Sequence, residues 1–96
     1  MFYKMNEITI DGRYKDDPSI FKISGKRNRD VIVVKITRVD DVFTVERVDA
    51  RSYRGEFIGL SPVQMQETKQ LKPAFFILSH HKVGASVTAK QLSFQR

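Results

Sequence analysis

Val31–Val39, VIVVKITRV, and Val42–Ala50, VFTVERVDA, are two β-branched runs separated only by Asp40 and Asp41. Val, Ile and Thr suit a pleated, half-buried surface, and Asp tolerates the backbone of a tight turn. The pair reads as a strand–turn–strand hairpin. Setting Val39 against Val42 fixes the rest of the register. Lys35 then faces Glu46, Thr37 faces Thr44 and Ile36 faces Val45, so an opposite-charge pair and a threonine pair both support it. One face collects Ile32, Val34, Ile36, Phe43 and Val45, and that face is predicted to be core.

Downstream, Leu60-Ser-Pro-Val-Gln-Met65 is a helix start. Ser61 is the cap, Pro62 takes the first helical position, and Gln64 completes a capping box, with Leu60 and Met65 placed for a hydrophobic staple. Pro73 disfavours helical geometry in the residue before it, which predicts one short helix around residues 62–71, ending near Lys72. On either side the pattern is extended. Phe2–Ile10 and Ile20–Ser24 read as strands around a polar loop, Asp11–Ser19. Glu56–Leu60 reads as a short strand. Ala74–His81 and Ser86–Phe94 read as a last hairpin across Lys82–Ala85, with Phe75–Leu78 buried on both faces.

These elements predict a mainly β (α+β) single domain spanning residues 1–96: a small curled antiparallel sheet or partly open OB/SH3-like barrel. From Val31 onward the order strand, strand, strand, helix, strand, strand resembles that of the OB-fold, a five-stranded barrel that often binds oligonucleotides. The resemblance is one of element order.

Charge gives the second strong signal. The chain has 17 Lys and Arg against 11 Asp and Glu, a formal net charge of +6. Thr68–Arg96 contains five basic residues and no acidic one, while the first 67 residues carry twelve basic and eleven acidic groups. An excess this local favours an anionic partner, with nucleic acid the leading class. The absence of Cys removes disulfides, thiolate metal sites and a cysteine nucleophile, and makes the reducing cytoplasm the simplest location. The N-terminal residues are interrupted by polar groups too early for a signal peptide, and the longest apolar run, Ala74–Leu78, is too short to span a bilayer, so no membrane role is expected.

Three constellations carry the binding reading. Arg47, Arg51, Tyr53 and Arg54 place guanidinium groups around one aromatic ring, the combination by which single strands are held: cations track phosphates and a ring stacks on a base. Gly25–Asp30, GKRNRD, is the densest basic run, and Lys26, Arg27 and Arg29 can wrap a phosphate backbone. Lys82 and Lys90 flank the last predicted hairpin in the acid-free region. His80-His81 is the one place for acid–base or metal chemistry. Neighbours on a strand point to opposite faces, so the two are expected not to share an ion, and no metal or cofactor is predicted. No P-loop, dinucleotide fingerprint or Ser/His/Asp arrangement is present, and the chain reads as a non-enzyme.

The resulting expectation is a small basic binding protein for single-stranded DNA or RNA with little sequence preference. Arg47, Arg51, Arg54, Lys82 and Lys90 would contact phosphates, Tyr53 would stack, and Lys26, Arg27 and Arg29 would extend the track. The alternative is a protein-interaction module, such as a small regulator or inhibitor docking on an acidic surface of a larger enzyme. A homo-oligomer is compatible with either.

Overall fold

The computed structural model describes residues 8–25, 31–67 and 71–90, of which 65–67 and 89–90 by backbone alone. It is mainly β. Six strands, β1 Ile8–Tyr14, β2 Ile20–Gly25, β3 Val31–Val39, β4 Val42–Val48, β5 Phe57–Ile58 and β6 Ser86–Lys90, are joined by α1 Pro62–Glu67 and α2 Leu71–Leu78. All strand pairs are antiparallel, in the order β5-β1-β2-β3-β4-β6. β5 and β6 form the edges of an unclosed sheet, and no described pairing joins them.

The β3–β4 hairpin has the register that its side chains dictate: Lys35 pairs with Glu46, Ile36 with Val45, Thr37 with Thr44 and Val39 with Val42. Asp40 takes the turn with a positive φ of 56°, which a short polar side chain tolerates. The capping box is also present. The Gln64 N–H donates to Ser61 Oγ at 3.2 Å, and the Ser61 N–H donates to Gln64 Oε1 at 3.0 Å.

The strand expected at Ala74–His81 is helix α2 followed by a turn. A short apolar run does not by itself distinguish a buried strand from a buried helix. What decides here is Leu71, upstream of the proline. Leu71, Ala74, Phe75 and Leu78 fall at i, i+3, i+4 and i+7, and all four are buried, whereas Ile77 is exposed. Pro73 does not end the helical region. It lies inside α2, as the third of its described residues. The order that resembled the OB-fold thereby loses its fifth element.

Two smaller corrections concern the N-terminal half and β5. β1 runs on through Asp11–Tyr14, which read as loop, because a bulge between Ile10 and Gly12 absorbs Asp11, whose carboxylate accepts from Ser24 Oγ at 3.0 Å. The strand expected at Glu56–Leu60 is limited to Phe57 and Ile58. Gly12 lies so close to β5 that a Cβ there would come within 2.8 Å of the Ile58 carbonyl oxygen. The parts of the predicted strands at 2–7 and 91–94 lie outside the described residues.

α2 packs across one face of the sheet, on β1, β2, β4 and β6. The core between them contains Ile8, Ile10, Phe21, Ile23, Ile32, Val34 and Val45 from the strands, with Phe75 fully enclosed. Of the face predicted from the hairpin, Ile32, Val34 and Val45 are buried, Ile36 packs against the core, and Phe43 is half-buried beneath the Arg38 guanidinium, 5.2 Å from its ring centre.

Part of the opposite face is covered too. Ile20 and Val33 are 0% and 2% exposed, yet neither belongs to the core beneath α2. Residues 49–56 lead from β4 to β5 at the far edge of the sheet and so cross this face. Along this path Tyr53 meets Tyr14 edge-on at 5.3 Å, Tyr14 lies 5.0 Å from Phe57, and the Gly55 N–H donates to the Tyr14 hydroxyl at 3.1 Å. Among the described residues no helix is long and apolar enough to cross a membrane.

Candidate nucleic-acid interface

Antiparallel strands joined in sequence send alternate turns to the same end of a sheet. The β1–β2 and β3–β4 turns therefore share one end, and the C-terminus of β4 and N-terminus of β6 share the other. Charge divides along this axis. The turns at 15–19 and 40–41 contain Asp16, Asp17, Asp40 and Asp41 against Lys15 alone, with Arg13, Arg38 and Lys90 on the strand ends beside them. At the other end, segments 47–51 and 79–85 contain Arg47, Arg51 and Lys82 against Asp49 alone; the chain then crosses the outer face, and Tyr53 and Gly55 on either side of Arg54 reach Tyr14, near the β1–β2 turn. These two segments meet at Arg47. Its N–H donates to the Ala85 carbonyl and its carbonyl accepts from the Gly84 N–H, both at 2.8 Å.

Arg47 pairs in register with Val34, so it faces α2 rather than the outer surface. Its Nη1 donates to the Leu78 carbonyl at 2.9 Å and the His81 carbonyl at 2.7 Å. The Leu78 carbonyl, the last of α2, also accepts from the His81 N–H at 3.1 Å, and the guanidinium adds a charged donor where the helix end carries partial negative charge. Arg47 thus fastens α2 to the sheet as well as contributing charge. His80 and His81 lie in the turn after α2, not on a strand, and both are exposed.

The next segment is built by Asp49, which caps a 3-10 turn at Ala50–Ser52 by accepting from the Arg51 N–H at 3.0 Å. The same carboxylate holds the Arg51 side chain, with Nε–Oδ1 3.1 Å and Nη2–Oδ2 2.9 Å. The Arg51 bonds lower the Asp49 pKa to about 2 and raise that of Arg51. A carboxyl depressed in this way stabilises the fold above about pH 4, and the contribution is lost as pH falls toward 2. Asp49→Asn keeps a capping oxygen but removes the titration. Its stability is expected to vary less between pH 4 and 2 than that of the parent, as acid titrations of the unfolding midpoint would show. An unchanged acid profile would contradict the assignment.

Arg54 is exposed and donates Nε to the Arg51 carbonyl at 3.2 Å, and Tyr53 is half-buried against Tyr14. Lys82 is exposed in the turn beside Arg47. Lys90 is set apart: it pairs with Val42, at the opposite end of β4 from Arg47. Lys26, Arg27 and Arg29 lie outside the described residues, but the flanking Gly25 and Val31 are at the same end of the sheet as Val48. Of the nine residues singled out from the sequence, Arg47 and Lys82 are brought together, and Arg51, Tyr53 and Arg54 follow along the same segment. One cation near the aromatic group was missed in the sequence: Lys22, whose ammonium sits 4.5 Å from the centre of the Phe57 ring. Its pairing depends on the β1–β5 contact, which sequence spacing does not reveal.

Comparison of the chain with protein-family models, with curated proteins and with solved structures found no match.

Proposed function

We propose that this protein is a non-enzymatic, cofactor-free binder of single-stranded DNA or RNA, with little sequence preference, and that it engages the strand around the basic end of the sheet. The observation that supports this reading is the division of charge: three cations against one carboxylate at that end, and four aspartates against one lysine in the turns at the other. Lys82 and the unused N–H groups of Arg47 contact phosphates there, Arg54 contacts them from the segment that crosses the outer face, and the partly buried Tyr53 offers a base a limited stacking surface. Lys26, Arg27 and Arg29 extend the track from the neighbouring corner. Arg51 contributes less, because Asp49 already holds its guanidinium, and Lys90 is reached only by a strand that runs the length of β4. A curl of the OB- or SH3-like kind and a cytoplasmic location belong to the same reading.

If about four to six phosphates are neutralised, the logarithm of the affinity falls against that of salt concentration with a slope of about −3 to −4. This corresponds to losing on the order of a hundredfold between 50 and 200 mM salt. Titrating a fluorescent oligonucleotide of about ten nucleotides at several salt concentrations measures it. Absence of binding at the lowest salt, or a slope near zero, rejects the proposal. The second reading is docking on an acidic protein surface, whose carboxylates would meet the same cations. A protein that binds no oligonucleotide at low salt directs attention there.

A further inference from the structure

We propose that β6 is a self-association edge: two copies of this chain join along Ser86–Lys90, antiparallel and centred on Thr88, to form one continuous sheet. The two edges of the sheet differ in kind. β5 is two residues long, and a very short edge strand offers little for another chain to pair with. β6 is five residues long, SVTAK, and among the described residues it pairs with β4 alone. It has no proline, no register shift against β4 and no charge before its last residue, so the strand itself carries none of the sequence devices that blunt an edge.

The ladder sets which groups point outward. The Arg47 N–H donates to the Ala85 carbonyl, and bonded antiparallel pairs recur at every second residue. Val45 with Val87 and Phe43 with Ala89 are therefore the bonded pairs within the chain. The N–H and C=O groups of Ser86, Thr88 and Lys90 face away from β4.

The outward row is complementary to itself. A twofold axis at Thr88 sets Thr88 against Thr88 of the second copy, Val87 against Ala89 and Ser86 against Lys90, so no two lysines oppose each other. The pairing also prolongs a pattern already present. Thr37 pairs with Thr44 and Thr44 with Thr88, whose hydroxyls lie 3.3 Å apart, and threonine pairs are favourable cross-strand neighbours. The twofold relation consumes both β6 edges, so assembly stops at two.

Sedimentation equilibrium from about 10 µM to 1 mM tests this, since a five-residue edge makes a small interface of modest affinity. The wild-type chain is expected to show a concentration-dependent dimer. Its net charge of +6 per copy makes association tighten as salt rises, opposite in sign to oligonucleotide binding, so the two proposals fail separately. Thr88→Lys places like charges opposite each other, and Thr88→Pro removes an outward N–H without touching a bond to β4. Each is expected to weaken dimerisation at least about tenfold. Thr88→Lys carries the test by itself if the proline variant fails to fold. Ile58→Lys, on β5, leaves the dimer unchanged. A wild-type monomer across the range, a dimer that persists in Thr88→Lys, or one abolished by Ile58→Lys overturns the proposal.

Discussion

Phe75→Ala is expected to cost about 3–5 kcal/mol of stability, as loss of a fully buried aromatic ring usually does. Phe75 is 0% exposed at the centre of the layer between α2 and the sheet. A domain of this size has on the order of 5–15 kcal/mol in total, so the loss is a large share of its stability. Urea unfolding followed by circular dichroism measures the loss. The pattern across neighbours is as informative as the size. On a helix, Leu71, Phe75 and Leu78 share one buried face and Ile77, 48% exposed, lies off it. Ile77→Ala is therefore expected to change stability by less than about 0.5 kcal/mol. On a strand, Phe75 and Ile77 would share a face and respond alike. Equal losses at the two positions would contradict the helix.

Arg47→Ala is expected to cost about 2–3 kcal/mol. Hydrogen bonds to a charged donor contribute roughly 1.5–3 kcal/mol, and here both acceptors, the Leu78 and His81 carbonyls, are left without that donor. For a domain of this length the unfolding temperature falls by about 10–20 °C. Arg47→Met retains much of the apolar stem, so a similar loss there assigns the effect to the guanidinium rather than to packing. Amide exchange should quicken first in residues 79–84, where the turn after α2 loses its anchor. A stability unchanged by both substitutions would show that the clamp carries no weight. Since Arg47 serves the fold, binding experiments are better built on Arg54 and Lys82.

The hairpin at Val31–Val48 was legible because every local signal agreed: β-branched composition, a turn residue that accepts positive φ, and cross-strand partners that match in charge and shape. The cap of α1 was legible for the same reason, as Ser61 and Gln64 satisfy each other within four residues. α2 was misread because Pro73 was taken as a stop, which cut Leu71 away from the stripe it completes. The second buried face was not visible at all. Val33 alternates with the core residues of β3 and reads as exposed until residues 49–56 are known to cross it, and that crossing is a long-range event. At the candidate site, the Arg51 pairing was available in Asp49-Ala-Arg51, where an aspartate that caps a turn lies two residues before an arginine. The division of charge was available too. Once β1–β2 and β3–β4 are consecutive antiparallel pairs, Asp16-Asp17 and Asp40-Asp41 must fall at one end. The position of Lys90 follows from the β4–β6 register and not from its neighbours in sequence.

The central functional claim is that the basic end and the segment that leaves it across the outer face, not net charge, hold the strand. Anisotropy titration of one labelled oligonucleotide compares three proteins at about 50 mM salt: the parent, Arg54→Glu with Lys82→Glu, and Asp40→Asn with Asp41→Asn. The account predicts that the first double variant binds at least about tenfold more weakly. The second, although it raises the net charge from +6 to +8, stays within about twofold of the parent. Tighter binding by the aspartate variant together with unchanged binding by the reversed one would contradict it.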